Sequence, residues 1–353
     1  MKNSTLTIGQ KSNFKSLVCF ILIVGFTTIS NSQTYRTIDA YMDDFAKNEL
    51  FVKKSLMDYS VSIVDSQLDS RTKTTATRII EKLEKLNSIL KNTNKGFEGN
   101  TMLRDSFIKM NQKTIDCLKN GSLILNDYEY QSTLSLLEIG KNFNQKETNL
   151  ISYYQELKNY ENTKKMFASC FKMHFNNSKG KNILEYNAYQ NILFYKMNVI
   201  DEKLTSVITA KDKKGFSDCM DLIDLMHQVT MDKTTLYKDI FKDNSLNNAN
   251  IEYSNFIVSQ KEKLNKLFNA YVDEYNTLQL LKNTSKVETK ETIDAYNAAV
   301  RTYNTKKNLF YAVFNSTQSI KDSMYNNWLT VNSTFLKNNG QFNSIYDKYA
   351  YND

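Results

Sequence analysis

Proline is missing from all 353 residues, and glycine occurs only nine times. Proline breaks helix interiors, and loop-rich or sheet-rich folds use it in their turns. Its absence excludes a turn-dense β architecture and predicts long helices with few connections. Histidine occurs twice and tryptophan once. Arginine is scarce beside lysine, and lysine is interspersed with Asp and Glu rather than clustered. A nucleic-acid surface calls for a basic stripe rich in arginine with stacking aromatics. The sequence has no such stripe, so a nucleic-acid partner is excluded. There is no Gly-rich phosphate loop, no Gly-x-Ser-x-Gly elbow and no His-Glu-x-x-His pair. After residue 32 no run is apolar enough to span a bilayer.

What is present begins with an export signal. Residues 1–32 read as a signal peptide, with Lys11 and Lys15 as the basic region and Leu17 to Phe26 as the apolar core. Ser32 and Gln33 flank the expected cleavage. The apolar run is about 14 residues, short of the roughly 20 that a spanning helix needs, and an uncleaved anchor is the alternative. Loss of Lys2, Lys11 and Lys15 takes the formal charge from +8 to about +5 (8 − 3). The expected location is periplasmic, outer-membrane-associated or cell-surface.

The remainder is organised around a repeat. Shifted by 143 places (194 − 51), Asn48 to Ile108 falls on Asn191 to Ile251 without a gap. Asn48 meets Asn191, Phe51 meets Phe194, Asp58 meets Asp201, Ile80 meets Ile223 and Leu103 meets Leu246. Sparse identities that hold one register suggest a duplicated unit. The predicted units are residues 33–180 and 181–340, with a polar tail at 341–353. Asn176 to Gly180 marks their boundary.

Apolar residues recur at three- and four-residue steps, as in amphipathic helices. Helices are predicted from Thr37 to Gln67, from Asp69 to Asn92, from Leu103 to Asn120 and from Tyr128 to Phe175. The second unit predicts helices over Asn182–Ala210, Lys213–Lys238, Leu246–Lys282 and Glu288–Asn338. Ile257, Leu264, Tyr271 and Leu278 form a seam of period seven. Ser285 to Glu288 has the spacing of a capping box. The expected fold is all-α: an elongated antiparallel helical bundle of two repeated four-helix units with long coiled-coil-like hairpins.

Chemistry-bearing residues are few. Asp224 and His227 lie three apart on one helix face, half of the pattern a di-iron bundle would need. His174 stands far away in sequence. Cys117, Cys170 and Cys219 are read as small buried apolar residues, with one disulfide and one free thiol as the alternative. Tyrosine, at 22 residues, is the enriched type. Tyr153-Tyr154, Tyr311 and the tail residues Tyr346, Tyr349 and Tyr351 either pack the seams or present a half-apolar surface. Asn94 to Thr101 reads as a turn, with Arg104 and Asp105 anchoring it from the next helix.

The segment Gly96-Phe97-Glu98-Gly99-Asn100-Thr101-Met102-Leu103-Arg104-Asp105-Ser106 resembles one that recurs in an uncharacterised family of exported surface proteins from spirochaetes and Bacteroidetes. A degenerate copy follows at Asp243 to Ala249. Asn100 replaces the family's usual acid, and the second copy lacks the glycine. The resemblance implies a helical, exported or surface-exposed protein, and it implies no activity. The reading is an exported helical protein with a binding or structural role, no catalytic activity, no cofactor and no metal, engaging an unidentified protein or envelope component. The alternatives are a membrane-active, pore-forming-like helical protein and a cryptic metal-binding bundle.

Overall fold

The computed structural model describes residues 35–66, 69–121, 125, 127–173, 182–284 and 289–339. The signal peptide with Ser32 and Gln33, the Asn176–Gly180 boundary, His174, the Ser285–Glu288 cap and the tail lie outside them. Nine helices run through the described residues: α1 (Ile38–Ser66), α2 (Asp69–Thr93), α3 (Met102–Lys119), α4 (Tyr128–Thr133), α5 (Leu136–Cys170), α6 (Ile183–Ala210), α7 (Lys213–Tyr237), α8 (Ser245–Thr284) and α9 (Lys290–Asn339). No strand occurs among the described residues, and the chain is all-α.

The expected fourth helix is in fact two. Leu134 is extended, and Ser135 starts α5 through a capping box. Its hydroxyl accepts from Glu138 N, and the Glu138 carboxylate accepts from Ser135 N at 2.9 Å. The reciprocal bonds satisfy donors that a new helix leaves open, so a restart here costs little. Upstream, the Ser132 and Thr133 hydroxyls bond back to Glu129 O and Tyr130 O, which satisfies carbonyls at the end of α4. The helix also ends at Cys170, before Phe175.

The other helices follow their sequence signals within a few residues. Asn182 caps α6 by accepting from Leu184 N and Glu185 N, and Asp212 caps α7 by accepting from Gly215 N. In the loop before α3, Gly96 and Gly99 take positive φ angles of 82° and 80°. Arg104 Nη1 donates to Asn94 O at 2.6 Å, and Thr101 Oγ1 donates to Asp105 Oδ2 at 2.7 Å. Arg104 and Asp105 therefore tie down the turn, as the sequence suggests.

Two apolar cores form. The first gathers α1, α2, α3 and the C-terminal half of α5 around Tyr41, Phe45, Leu83, Phe107, Tyr160 and Phe167. The second gathers α6–α9 around Phe194, Phe216, Phe268, Phe310, Trp328 and Phe335. They are not independent bundles. α5 sends Ile139 and Phe143 into the second core, and α6 lends Leu184, Ala188 and Tyr189 to the first. α6 is the shared element: every residue from Ile192 to Asp201 is buried. A helix apolar or partnered on all sides belongs in an interior. Its polar members have partners there: Lys196 pairs with Glu147, Asn198 Oδ1 accepts from Tyr253 OH at 2.7 Å, and Asp201 pairs with Lys321.

Candidate functional site

Where α1, α4, α5, α6 and α9 converge between the two cores, a cavity of about 70 Å³ opens. Leu56 and Ile63 of α1 and Leu150 of α5 supply aliphatic walls. Tyr153 and Tyr154 of α5, Tyr128 of α4, and Tyr325 and Trp328 of α9 supply aromatic ones. Asn187, Ala188 and Asn191 line it from α6. No charged residue is among the lining groups, although 24% of the chain is charged.

Neighbours hold these groups in place. Trp328 stacks on Phe194 with ring centroids 4.5 Å apart and planes 5° apart. Phe194 also meets Tyr253 and Tyr325. Tyr153 and Tyr154 form an edge-to-face pair at 4.9 Å, each only 4% exposed. Burial pushes the Tyr153 hydroxyl up to about 12 and raises Tyr128 and Tyr154 well above the usual phenol value. The phenols therefore stay neutral at physiological pH.

The amides and the serine of the lining are satisfied internally. Asn187 Nδ2 donates to Asn332 Oδ1 at 2.7 Å, Asn332 Nδ2 donates to Asn191 Oδ1, and Asn191 Nδ2 donates to Asn187 Oδ1 at 2.8 Å. Three amides thus close a ring between α6 and α9. Ser60 Oγ donates to Leu56 O at 2.9 Å.

Of the residues that the sequence singles out, Tyr153 and Tyr154 line the cavity, whereas Asp224, His227 and the cysteines lie elsewhere. Asp224 pairs with Lys261, and His227 Nδ1 meets Ser254 Oγ at 2.9 Å. Each is engaged by α8, and the two are not brought together on one site. No group of three or more His, Cys, Asp or Glu side chains able to hold a metal ion occurs among the described residues. Cys117 and Cys219 are buried free thiols, pushed up to about 11 and about 12 by burial. Such thiols are poor nucleophiles, since the thiolate is the reactive form. Cys170 departs from the buried reading: it is a free thiol in the last turn of α5 and is exposed. Tyr153 and Tyr154 are core residues, and Tyr311 packs half-buried on Tyr271 and Phe310.

The cavity was not anticipated. One local signal pointed to it: Asn187 and Asn191, four apart, lie on one face of a helix otherwise rich in apolar residues. No family model, no curated protein and no solved structure matches the chain.

Proposed function

We propose that this is an exported helical protein of the cell envelope or surface with a binding role, and that the cavity between its two cores is where it binds. The observation that carries this is a recess, formed by five helices from across the chain, whose lining has no charged group. Recessed, mostly apolar sites with a few placed polar groups are typical of ligand binding. The lining offers no acid–base pair and no activated nucleophile, so the reading is a binder rather than a catalyst. No helix among the described residues is long and apolar enough to cross a membrane.

The proposal includes a duplicated ancestry. Leu103, Met110, Asn111 and Thr114 of α3 are all buried, and so are Leu246, Tyr253, Ser254 and Ile257, each 143 residues later. The closing helices support a longer second hairpin. Phe167 packs on Tyr41, and Phe335 packs on Tyr186. Their partners lie 145 residues apart (186 − 41), whereas the phenylalanines lie 168 apart (335 − 167). α8 has 40 residues where α3 has 18, which accommodates the displacement. Ile257, Leu264, Tyr271 and Leu278 are all buried, which favours coiled-coil-like packing along the α8–α9 hairpin.

Native mass spectrometry of the protein, purified gently from its own envelope, tests the reading. The expected mass is that of residues 33–353 with a small molecule bound. A bare mass, under conditions where a known non-covalent complex survives, would overturn it.

A further inference from the structure

Two observations about the cavity narrow its occupant. The first is size. An apolar cavity of about 150 Å³ accepts benzene, and this one is about half that, near 70 Å³. That volume is too small to take in a whole ring, whereas a slender chain enters end first and leaves the rest of its molecule outside. The second is polarity. Every hydrogen bond of the amide ring, and that of Ser60, closes within the protein. A polar inserted group could engage these amides and this serine only by breaking their bonds, which is unfavourable in a buried site. A charged end would find no counter-charge on the lining.

We propose that the occupant is the unbranched hydrocarbon end of an acyl chain, inserted between Leu56, Leu150, Tyr154 and Trp328, with its head group outside. The inference rests on the reading of the cavity as a binding site, and it adds the ligand's chemical class. Apolar burial is proportional to area, so affinity rises by about fourfold for each methylene that enters. It stops rising once the chain is longer than the recess.

Trp328 is the chain's single tryptophan and lies on the cavity wall, so its fluorescence reports on this place alone. The probe is a saturated fatty acid with bromine on its terminal carbon, below its micelle concentration. Saturable quenching of Trp328, competed by the unbrominated acid, is expected. Ala188→Phe, which fills the recess from α6, is expected to abolish quenching while the helical circular dichroism stays unchanged. Ser60→Phe fills it from α1 and serves where the first variant does not fold. A chain-length series is expected to show the fourfold steps and then a plateau. Bromobenzene is the companion probe. If it quenches saturably and the acyl probe does not, the acyl proposal falls and the binding reading stands. If neither quenches, both fall. Quenching by the acyl probe that survives in both filled variants would also overturn the proposal.

Discussion

Asn187 donates a 2.7 Å hydrogen bond to Asn332, 145 residues away, and Asn191 closes the ring between them. This small polar device sits where the shared helix α6 meets the last helix, α9. A buried amide is tolerated only with its partners present, so the ring favours one register of α9 against α6 over its neighbours.

Asn332→Ala removes one member and leaves an Asn187 donor and an Asn191 acceptor unmet. The expected cost is about 1–3 kcal/mol, from the desolvation of the orphaned groups. Urea unfolding followed by circular dichroism measures it. In a double-mutant cycle with Asn187→Ala, the two losses are expected to be non-additive by at least about 0.5 kcal/mol. Simple additivity would mean that the amides do not act together.

Glu49 and Lys164 are buried in the first core, with Lys164 Nζ 2.6 Å from Glu49 Oε2 and Tyr160 OH donating to Glu49 Oε1 at 2.5 Å. Glu49→Leu leaves the Lys164 ammonium buried without its counter-charge, at an expected cost of about 3–5 kcal/mol. Adding Lys164→Met removes the stranded charge, and the double variant is expected to recover most of the loss. Thermal and urea unfolding of the three proteins check this. A double variant no more stable than Glu49→Leu would show that the pair is not the reason.

Gly96 and Gly99 share a left-handed backbone but not the same surroundings. A Cβ on Gly96 would stand 2.3 Å from Asn100 O, whereas one on Gly99 meets nothing within 4 Å. Gly99→Ala is therefore expected to cost about 1 kcal/mol for the positive φ alone. Gly96→Ala is expected to cost clearly more, because the bridge between Phe97 and Asn100 must open. Equal losses in chemical denaturation would count against this account of the turn.

Asp44 is buried and accepts from Tyr35 OH at 2.5 Å. Burial raises its carboxyl above the usual 3.8, while the Tyr35 bond and Lys47 pull it back. A raised value means that the folded state holds the proton more tightly than the unfolded one. The stability from this linkage is fully present below pH 3.8 and is lost as pH rises through the folded value. Asp44→Asn does not titrate, so its melting temperature is expected to gain on that of the natural chain as pH rises from about 4 to about 7. A difference in melting temperature that does not change with pH would refute it.

Most of the helices could be read in the sequence because helix formation leaves a local trace. Leu83, Leu86 and Leu90 repeat at helical steps, and with no proline nothing interrupts such a stripe. Asn182 and Asp212 announce their helices by capping them. The restart at Ser135 was also written locally, as Ser-x-x-Glu, but the apolar stripe runs on across it and hid it. The exposure of Cys170 was not legible, because its phase on α5 matters less than the end of the helix beside it. The cavity was legible only in fragments, as the Tyr153-Tyr154 pair and two asparagines out of place.

The sequence by itself determined an all-helical chain: periodicity, caps and the absence of proline act over a few residues, and those residues are neighbours in the chain. Only the tertiary structure decided which stripes met. It set Lys164 on Glu49, Lys321 on Asp201 and Trp328 on Phe194, pairs more than 100 residues apart in sequence. It also left the recess between the cores, because four helices of fixed width packing round α6 do not fill all the space between them. Packing of this kind depends on shape and distance in three dimensions, and a repeat in sequence carries neither.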